Sequence, residues 1–387
     1  MSYLRRISTR SLIVLVVGVL ALSGGGAAIA VAAGGGSPTP PPAPPDQAIR
    51  DALAAKSREG VTARIEFRNN LLSSGGLAGP AGSALLSGAS GRLWADGNGR
   101  GRVELQSDAG DAQIVWNART ISVYDASSNT VYRASLPARS VPAPAADKGA
   151  PPTAASIDRF LAELATHWAL SAANPIDIAG RSAYSVSASP KHDGGLLDSV
   201  ELAWDASQGA PLRARVYARD HSAPALELAV KDISYGSVPT SDVAVAPPAG
   251  ARVVDLGSAR HADKASGARE VTGLDATIAA ADFPVVAPDS LVGLPRQEVR
   301  LLGGDAVVVL YGRGLGTIAV VERKADASPR GGNQLSGLPS VSIDGLTAHE
   351  LATQLGTVIA WQSGGTSFVL AGSRARAAAV AAARALK

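Results

Sequence analysis

The 387-residue chain carries Lys+Arg 36 against Asp+Glu 33, a formal net charge of +3 with its cations scattered, which leaves a nucleic-acid footprint unsupported. It has no cysteine, so disulfides, thiol nucleophiles, thiolate metal sites and lipid-bearing cysteines are excluded. With 42 Gly, 24 Pro and only 4% aromatic residues, it suits about two sheet-and-turn domains joined by linkers better than one dense core.

Arg5, Arg6 and Arg10 precede residues 11–33, an uncharged stretch of roughly the 20 residues that a membrane span needs. Positive charge ahead of it predicts a single-pass cell-membrane anchor over 1–33 with the body on the extracytoplasmic side. Ala28-Ile29-Ala30 and Ala30-Val31-Ala32 also fit a signal-cleavage pattern, which would release the rest. The Arg5-Arg6 pair fits a twin-arginine signal.

Residues 34–45 (GGGSPTPPPAPP) form a linker, because consecutive prolines favour a semi-rigid extended spacer. Residues 46–58 predict a helix, with Ala48, Ile49, Ala52, Leu53 and Ala55 as its apolar stripe. Residues 61–68 alternate, Val61, Ala63, Ile65 and Phe67 against Thr62, Arg64, Glu66 and Arg68, as a strand with a clear inside does. The long insertion 69–90 holds Leu71-Leu72 and Leu85-Leu86, which fit either local packing or a flap over an apolar groove. From 91 to 137 the spacing predicts a meander of short antiparallel strands at 102–106, 112–116, 120–124 and 130–134. Turn segments such as Asp96-Gly97-Asn98-Gly99 and Asp125-Ala126-Ser127-Ser128-Asn129 separate them. Such a sheet has one wet face and one that wants an apolar partner.

Residues 140–152 are a second Pro/Ala linker, and 153–170 predict a helix with Ile157, Phe160, Leu161, Leu164 and Trp168 along one side. This helix and the first are the expected cover of the sheet's apolar face. Strands follow as a hairpin at 176–181 and 183–187, then at 199–204, 212–217 and 225–230. Residues 244–254 close the domain through Pro247-Pro248.

The order helix, strand, meander, helix, then "AGRSAYSVSASP", "VELAWDASQGAPLRARVYAR" and "LAVKDISYGSVPTSDVAVAPPAGARVV" resembles the LolA-like lipoprotein-carrier family and the related RseB/MucB-like periplasmic regulators. Tyr124-Asp125, the turn from Asp205 to Leu212, and Pro247-Pro248-Ala249-Gly250-Ala251 carry the resemblance, which spans about residues 46–256. Val243 and Val245 stand where the family often has an aromatic residue. The resemblance implies an α+β fold, an incompletely closed antiparallel β half-barrel with a helical lid over a cavity that takes acyl chains.

Residues 257–280 read as an interdomain linker, and 281–387 as a smaller α+β accessory domain. Its strands are expected at 296–302, 306–311, 317–323, 341–343, 356–362 and 366–372, with a closing helix at 373–386. The ending "IAWQSGGTSFVLAGS" resembles an accessory domain found after such barrels.

Catalytic patterns are sparse. Gly312-Arg313-Gly314-Leu315-Gly316 joins two strand-like runs, so it reads as a hairpin turn and not a phosphate cradle. His349-Glu350 begins HExxH, but Thr353 stands where the second histidine belongs. Asp198, Glu201 and Asp205 could pair as carboxylates, but alternating charge on a wet strand face is the commoner explanation. No cofactor, metal or enzymatic activity is expected. The expected function is a membrane-tethered carrier or chaperone-like protein that binds the acyl chain of a lipid or lipoprotein. The alternative is an envelope regulator that binds another membrane protein and senses lipid or misfolded ligand. Cavity candidates are Ile65, Phe67, Leu93, Val103, Leu105, Ile114, Trp116, Ile121 and Val123 from the sheet, with Phe160, Leu164 and Trp168 from the lid; plain core packing is the competing reading of each.

Overall fold

The computed structural model describes residues 40–54, 60–71, 84, 88–108, 110–136, 154–255, 271–325 and 338–387. The anchor or signal over 1–33, most of the 69–90 insertion and the 140–152 linker lie outside the described residues. Among the described residues no helix is long and apolar enough to cross a membrane.

In chain order, α1 (Pro45–Ala54) leads into β1 (Gly60–Asn69), and β2 (Ala89–Asp96), β3 (Gly101–Ser107), β4 (Gly110–Trp116), β5 (Thr120–Asp125) and β6 (Thr130–Ser135) form the meander. After α2 (Ala154–His167) come β7 (Trp168–Leu170), β8 (Asn174–Ile178), β9 (Arg181–Pro190), β10 (Leu197–Asp205), β11 (Pro211–Ala218) and β12 (Leu226–Tyr235). A short α3 (Thr240–Val243) and β13 (Arg252–Asp255) close this body. The second body holds β14 (Val271–Thr272), α4 (Leu274–Ala280), β15 (Ser290–Leu291), β16 (Leu294–Leu302), β17 (Ala306–Tyr311) and β18 (Ile318–Lys324). It ends with β19 (Ser340–Ile343), β20 (Leu346–Thr353), β21 (Gly356–Ser363), β22 (Thr366–Gly372) and α5 (Arg376–Ala385).

The first sheet has 13 strands and runs β13-β6-β5-β4-β3-β2-β1-β12-β11-β10-β9-β7, with β8 paired to β9. Its end strands do not pair with each other, so the sheet stays open. The meander folds where period-2 alternation and turn residues agree. In β1, Val61, Ala63 and Ile65 are buried while Thr62 and Arg64 are exposed. Each aliphatic side chain moved inside in this way contributes about 1.5–3 kcal/mol. Gly101 is needed by its partner: it pairs with Trp116, and a Cβ there would sit 2.0 Å from the indole Cζ2.

Several sequence expectations are corrected. Residues 41–45 are not a free spacer: Ala43 bridges Ala173, and the Tyr184 hydroxyl donates to the Pro41 carbonyl at 2.8 Å. The first helix starts at Pro45, a residue suited to the first helical turn because it lacks an N–H. The 153–170 helix stops at His167, and Trp168 belongs to β7, paired with Pro190. The free edge of β9 takes up the backbone of residues 168–170, and this pairing outweighs the helical spacing of a single Trp. Of the 244–254 run only residues 252–254 are strand, in β13, which lies parallel to β6, so the sheet is not wholly antiparallel. Residues 271–280, read as linker, are β14 and α4 of the second body, where β14 pairs with β16.

The second sheet runs β14-β16-β17-β18-β22-β21-β20-β19. The closing helix α5 buries Ala379, Ala382 and Ala383 in the same core cluster as Val309, Ile359 and Phe368. His349 and Glu350 lie on β20, a strand not foreseen in the sequence. Gly314–Gly316 is a single 3-10 turn between β17 and β18, as the hairpin reading requires.

Candidate apolar ligand site

The sheet candidates share one face. Cross-strand partners Leu93↔Val103, Val103↔Ile114, Ile114↔Val123 and Trp116↔Ile121 place these side chains in rows, and Leu105 faces Gly91, which faces Ile65. Ile65, Leu93, Val103, Leu105, Trp116 and Ile121 are buried in one cluster, against which Phe67 and Ile114 pack half-buried. Val123 is half-buried farther out on the row.

Two helices border this face. On α1, Ala48, Ile49 and Ala52 pack on Val186, Leu202 and Trp204, so this helix covers the β9–β10 part of the face. The longer α2 instead makes its main contacts with α1 and β7. An Arg50–Asp158 ion pair of 3.0 Å joins the helices, and the Lys191 N–H donates to the His167 carbonyl at 2.9 Å. Of the lid candidates, Phe160 is 42% exposed, and Leu164 and Trp168 are half-buried. The helix thus stands beside the groove and not on its floor. Leu161 is its buried contact.

The described residues enclose a cavity of about 40 Å³ between β1, β2, β11 and β12, lined by Val61, Ile65, Leu93, Leu212, Leu228 and Ile233 among others. Of the sequence candidates, Ile65 and Leu93 reach it. Two irregularities in strand pairing frame it. The β1–β12 register shifts at Arg64/Ile65, leaving Lys231 unmatched between Val230 and Asp232, and the β10–β11 register shifts at Ala203/Trp204, leaving Leu212 unmatched. An extra residue on one strand bends and twists a sheet locally, so the concavity lies where these bulges fall. Leu212, Leu228 and Ile233 were missed as site residues, because a bulge has no signature in strand alternation. A wider hollow of about 340 Å³ opens on the opposite face beside Arg64, Arg92 and Asp232; it is an open surface crossed by the Arg64–Asp232 ion pair of 3.2 Å.

The carboxylate candidates have structural partners. Glu201 accepts from Arg213 at 2.8 Å, and Arg215 bonds Glu227 at 2.8 Å, in a cross-strand series of charges on the wet face. Asp205 caps its own turn through the Ser207 and Gln208 N–H groups and accepts the Tyr235 hydroxyl at 2.8 Å. Asp198 accepts from Ser199. Hydrogen bonds from Lys231 and Arg68 hold Glu66 below the ordinary carboxylate range. Among the described residues no three His, Asp or Glu side chains gather as a metal site.

No protein-family model matches the sequence, and no curated protein is similar to it. Solved structures are. MucB in complex with MucA(peri) is 14% identical, with a TM-score of 0.42 over 88% of this chain and 96% of that one. The Pseudomonas aeruginosa MucA/MucB complex is 15% identical, with a TM-score of 0.44 over 87% of this chain and 96% of that one. A LolA superfamily protein from Nitrosomonas europaea is 10% identical, with a TM-score of 0.23 over 52% of this chain and 98% of that one.

Proposed function

We propose that the first body binds an apolar chain, the acyl group of a lipid or lipoprotein, by burial and without chemistry. The observation that carries this reading is the continuous apolar face from Phe67 through Ile65 to Leu93, with a bulge-framed cavity at its centre and a helix of small residues, Ala48 and Ala52, as part of its cover. Each CH₂ moved from water contributes about 0.8 kcal/mol, so a few methylenes suffice for useful affinity. The cavity of about 40 Å³ is far below the roughly 300–1,000 Å³ of ordinary ligand pockets. Binding therefore requires the strands around the cavity to part, with α1 and α2 shifting at the margin of the face. Small side chains on α1 and the lateral seat of α2 lower the cost of that motion, because little apolar surface is uncovered by it. Native mass spectrometry of the purified extracytoplasmic part tests the reading: co-purifying lipid supports it, and its absence together with no binding of a fluorescent fatty acid refutes it.

The membrane tether over 1–33 belongs to the same proposal and rests on the Arg-flanked apolar stretch. Fractionation with protease treatment of intact cells checks it; a mature chain beginning near Val31 and free in the medium would leave export alone. A second reading, an envelope regulator that docks on a membrane protein, is favoured by the small size of the cavity. A face with so little free volume suits a surface presented to a protein partner.

A further inference from the structure

The two bodies meet through a turn of the second that ends on the apolar face of the first. Between β20 and β21, Leu355 is only 9% exposed and packs with Val216 and Leu226 of the first sheet, beside Phe67 and Leu71. Phe67 packs against both this cluster and the main groove cluster, so a single side chain links the two. The backbone holds the turn there: the Gln354 N–H donates to the Leu71 carbonyl at 3.1 Å, and its side-chain amide donates to the Asn70 carbonyl at 2.7 Å. One hydroxyl connects the turn to the rest of the junction. Ser373 Oγ donates to the Leu355 carbonyl at 2.8 Å and accepts the Leu196 N–H at 2.9 Å. Beside it, Arg374 pairs with Asp193 at 2.6 Å, and the Asp193 carbonyl accepts the Leu315 N–H at 3.1 Å.

We propose that the turn bearing Leu355 is a plug that regulates the half-barrel, occupying the Phe67 end of the groove until a long unbranched acyl chain takes its place. This rests on the reading that the half-barrel takes an apolar chain. The chemistry is that of competition: Leu355 covers the Val216 and Leu226 cluster, beside Phe67, with hydrocarbon that the end of an acyl chain can replace. The polar contacts around it are few and go mostly to backbone groups, which water satisfies when the bodies part. Ligand binding and separation of the two bodies are then a single equilibrium: chain in the groove drives the second body off, and a locked junction excludes chain from that end. The ligand in this scheme also changes what the second body exposes.

The chain has no cysteine, so a lone engineered pair gives one defined crosslink. Leu71→Cys with Gln354→Cys places the pair on residues whose backbones are already bonded, within disulfide reach. The extracytoplasmic part, both bodies together, is titrated with a fluorescent 16-carbon fatty acid in the oxidised and reduced forms. The plug requires affinity at least about tenfold weaker in the oxidised form, restored by reductant, because the binding-competent population is removed. Leu355→Ala in the uncrosslinked protein should tighten binding and raise hydrogen exchange at Leu196 and Leu315. Equal affinity of oxidised and reduced protein overturns the plug while leaving the apolar-ligand reading in place. No probe binding by the wild type, the reduced pair or Leu355→Ala overturns both.

Discussion

Arg374 Nη2 lies 2.6 Å from Asp193 Oδ2, and the backbone carbonyl of the same aspartate accepts the Leu315 and Gly316 N–H groups. One loop of the first sheet therefore holds two separate segments of the second. The charged part of this contact is half in water, with Arg374 26% and Asp193 43% exposed. Its worth is that of a surface pair, about 0.2–1 kcal/mol. Asp193→Ala should accordingly lower the melting temperature little. Gly195 is the more sensitive position: it has φ +61, and a Cβ there would meet the Ser373 carbonyl at 2.5 Å. Gly195→Val should separate the bodies without unfolding either. Hydrogen exchange at Leu196 and Gln354 measures this; protection unchanged from the wild type would mean that the junction does not depend on the loop.

Glu322 lies fully buried on β18, where Oε2 accepts the Val286 N–H at 2.9 Å and Oε1 has no partner among the described residues. Burial pushes its pKa up from an ordinary 4.5 to about 7, against the lowering effect of the Val286 bond. Below the ordinary value, folded and unfolded chains both carry the proton and the stability from the neutral side chain is fully present. Between the two values the unfolded chain ionises first, so stability falls as pH rises and the loss is complete above about 7, on the order of 3 kcal/mol. Glu322→Gln should abolish that slope. Parallel pH profiles of melting temperature for wild type and variant would contradict the assignment.

Leu164 and Leu105 separate lid from core. Leu105 is 3% exposed on the groove floor, whereas Leu164 is half-buried on a helix that leans on α1 and β7. Leu105→Ala should cost about 2–5 kcal/mol, the usual penalty for emptying a core site, and Leu164→Ala well under that range. Denaturant unfolding of both variants decides. Equal costs would mark α2 as core.

Filling the cavity should act in opposite directions on stability and binding. Ala214 lines it. Ala214→Val adds apolar volume where the bulges leave space, and such fillings commonly add about 0.5–2 kcal/mol. A higher melting temperature with weaker fatty-acid binding is expected. A higher melting temperature with unchanged binding would place the ligand elsewhere on the sheet.

The meander, the strand faces and the final β22–α5 unit were legible in the chain because they depend on near neighbours. Alternation in Val61–Phe67 sets which side chains share a face, and Gly, Asn and Asp set where the chain turns. The second half of the site was not legible. Leu212 and Ile233 reach the cavity because registers slip by a residue at β10–β11 and β1–β12, and a slip belongs to a pair of strands, not to either one alone.

By itself the sequence determined a meander of alternating strands with one apolar face and a second run of strands after it, since period and turn chemistry are properties of consecutive residues. The tertiary structure alone decided which helix lies on that face, that Trp168 is strand, and that Leu355 joins the Val216 and Leu226 cluster beside Phe67. Those outcomes turn on contacts between segments that are not neighbours in the chain, from Trp168 with Pro190 to Gln354 with Asn70. Their free energy comes from burying surfaces against each other, and no local pattern encodes which surfaces will meet.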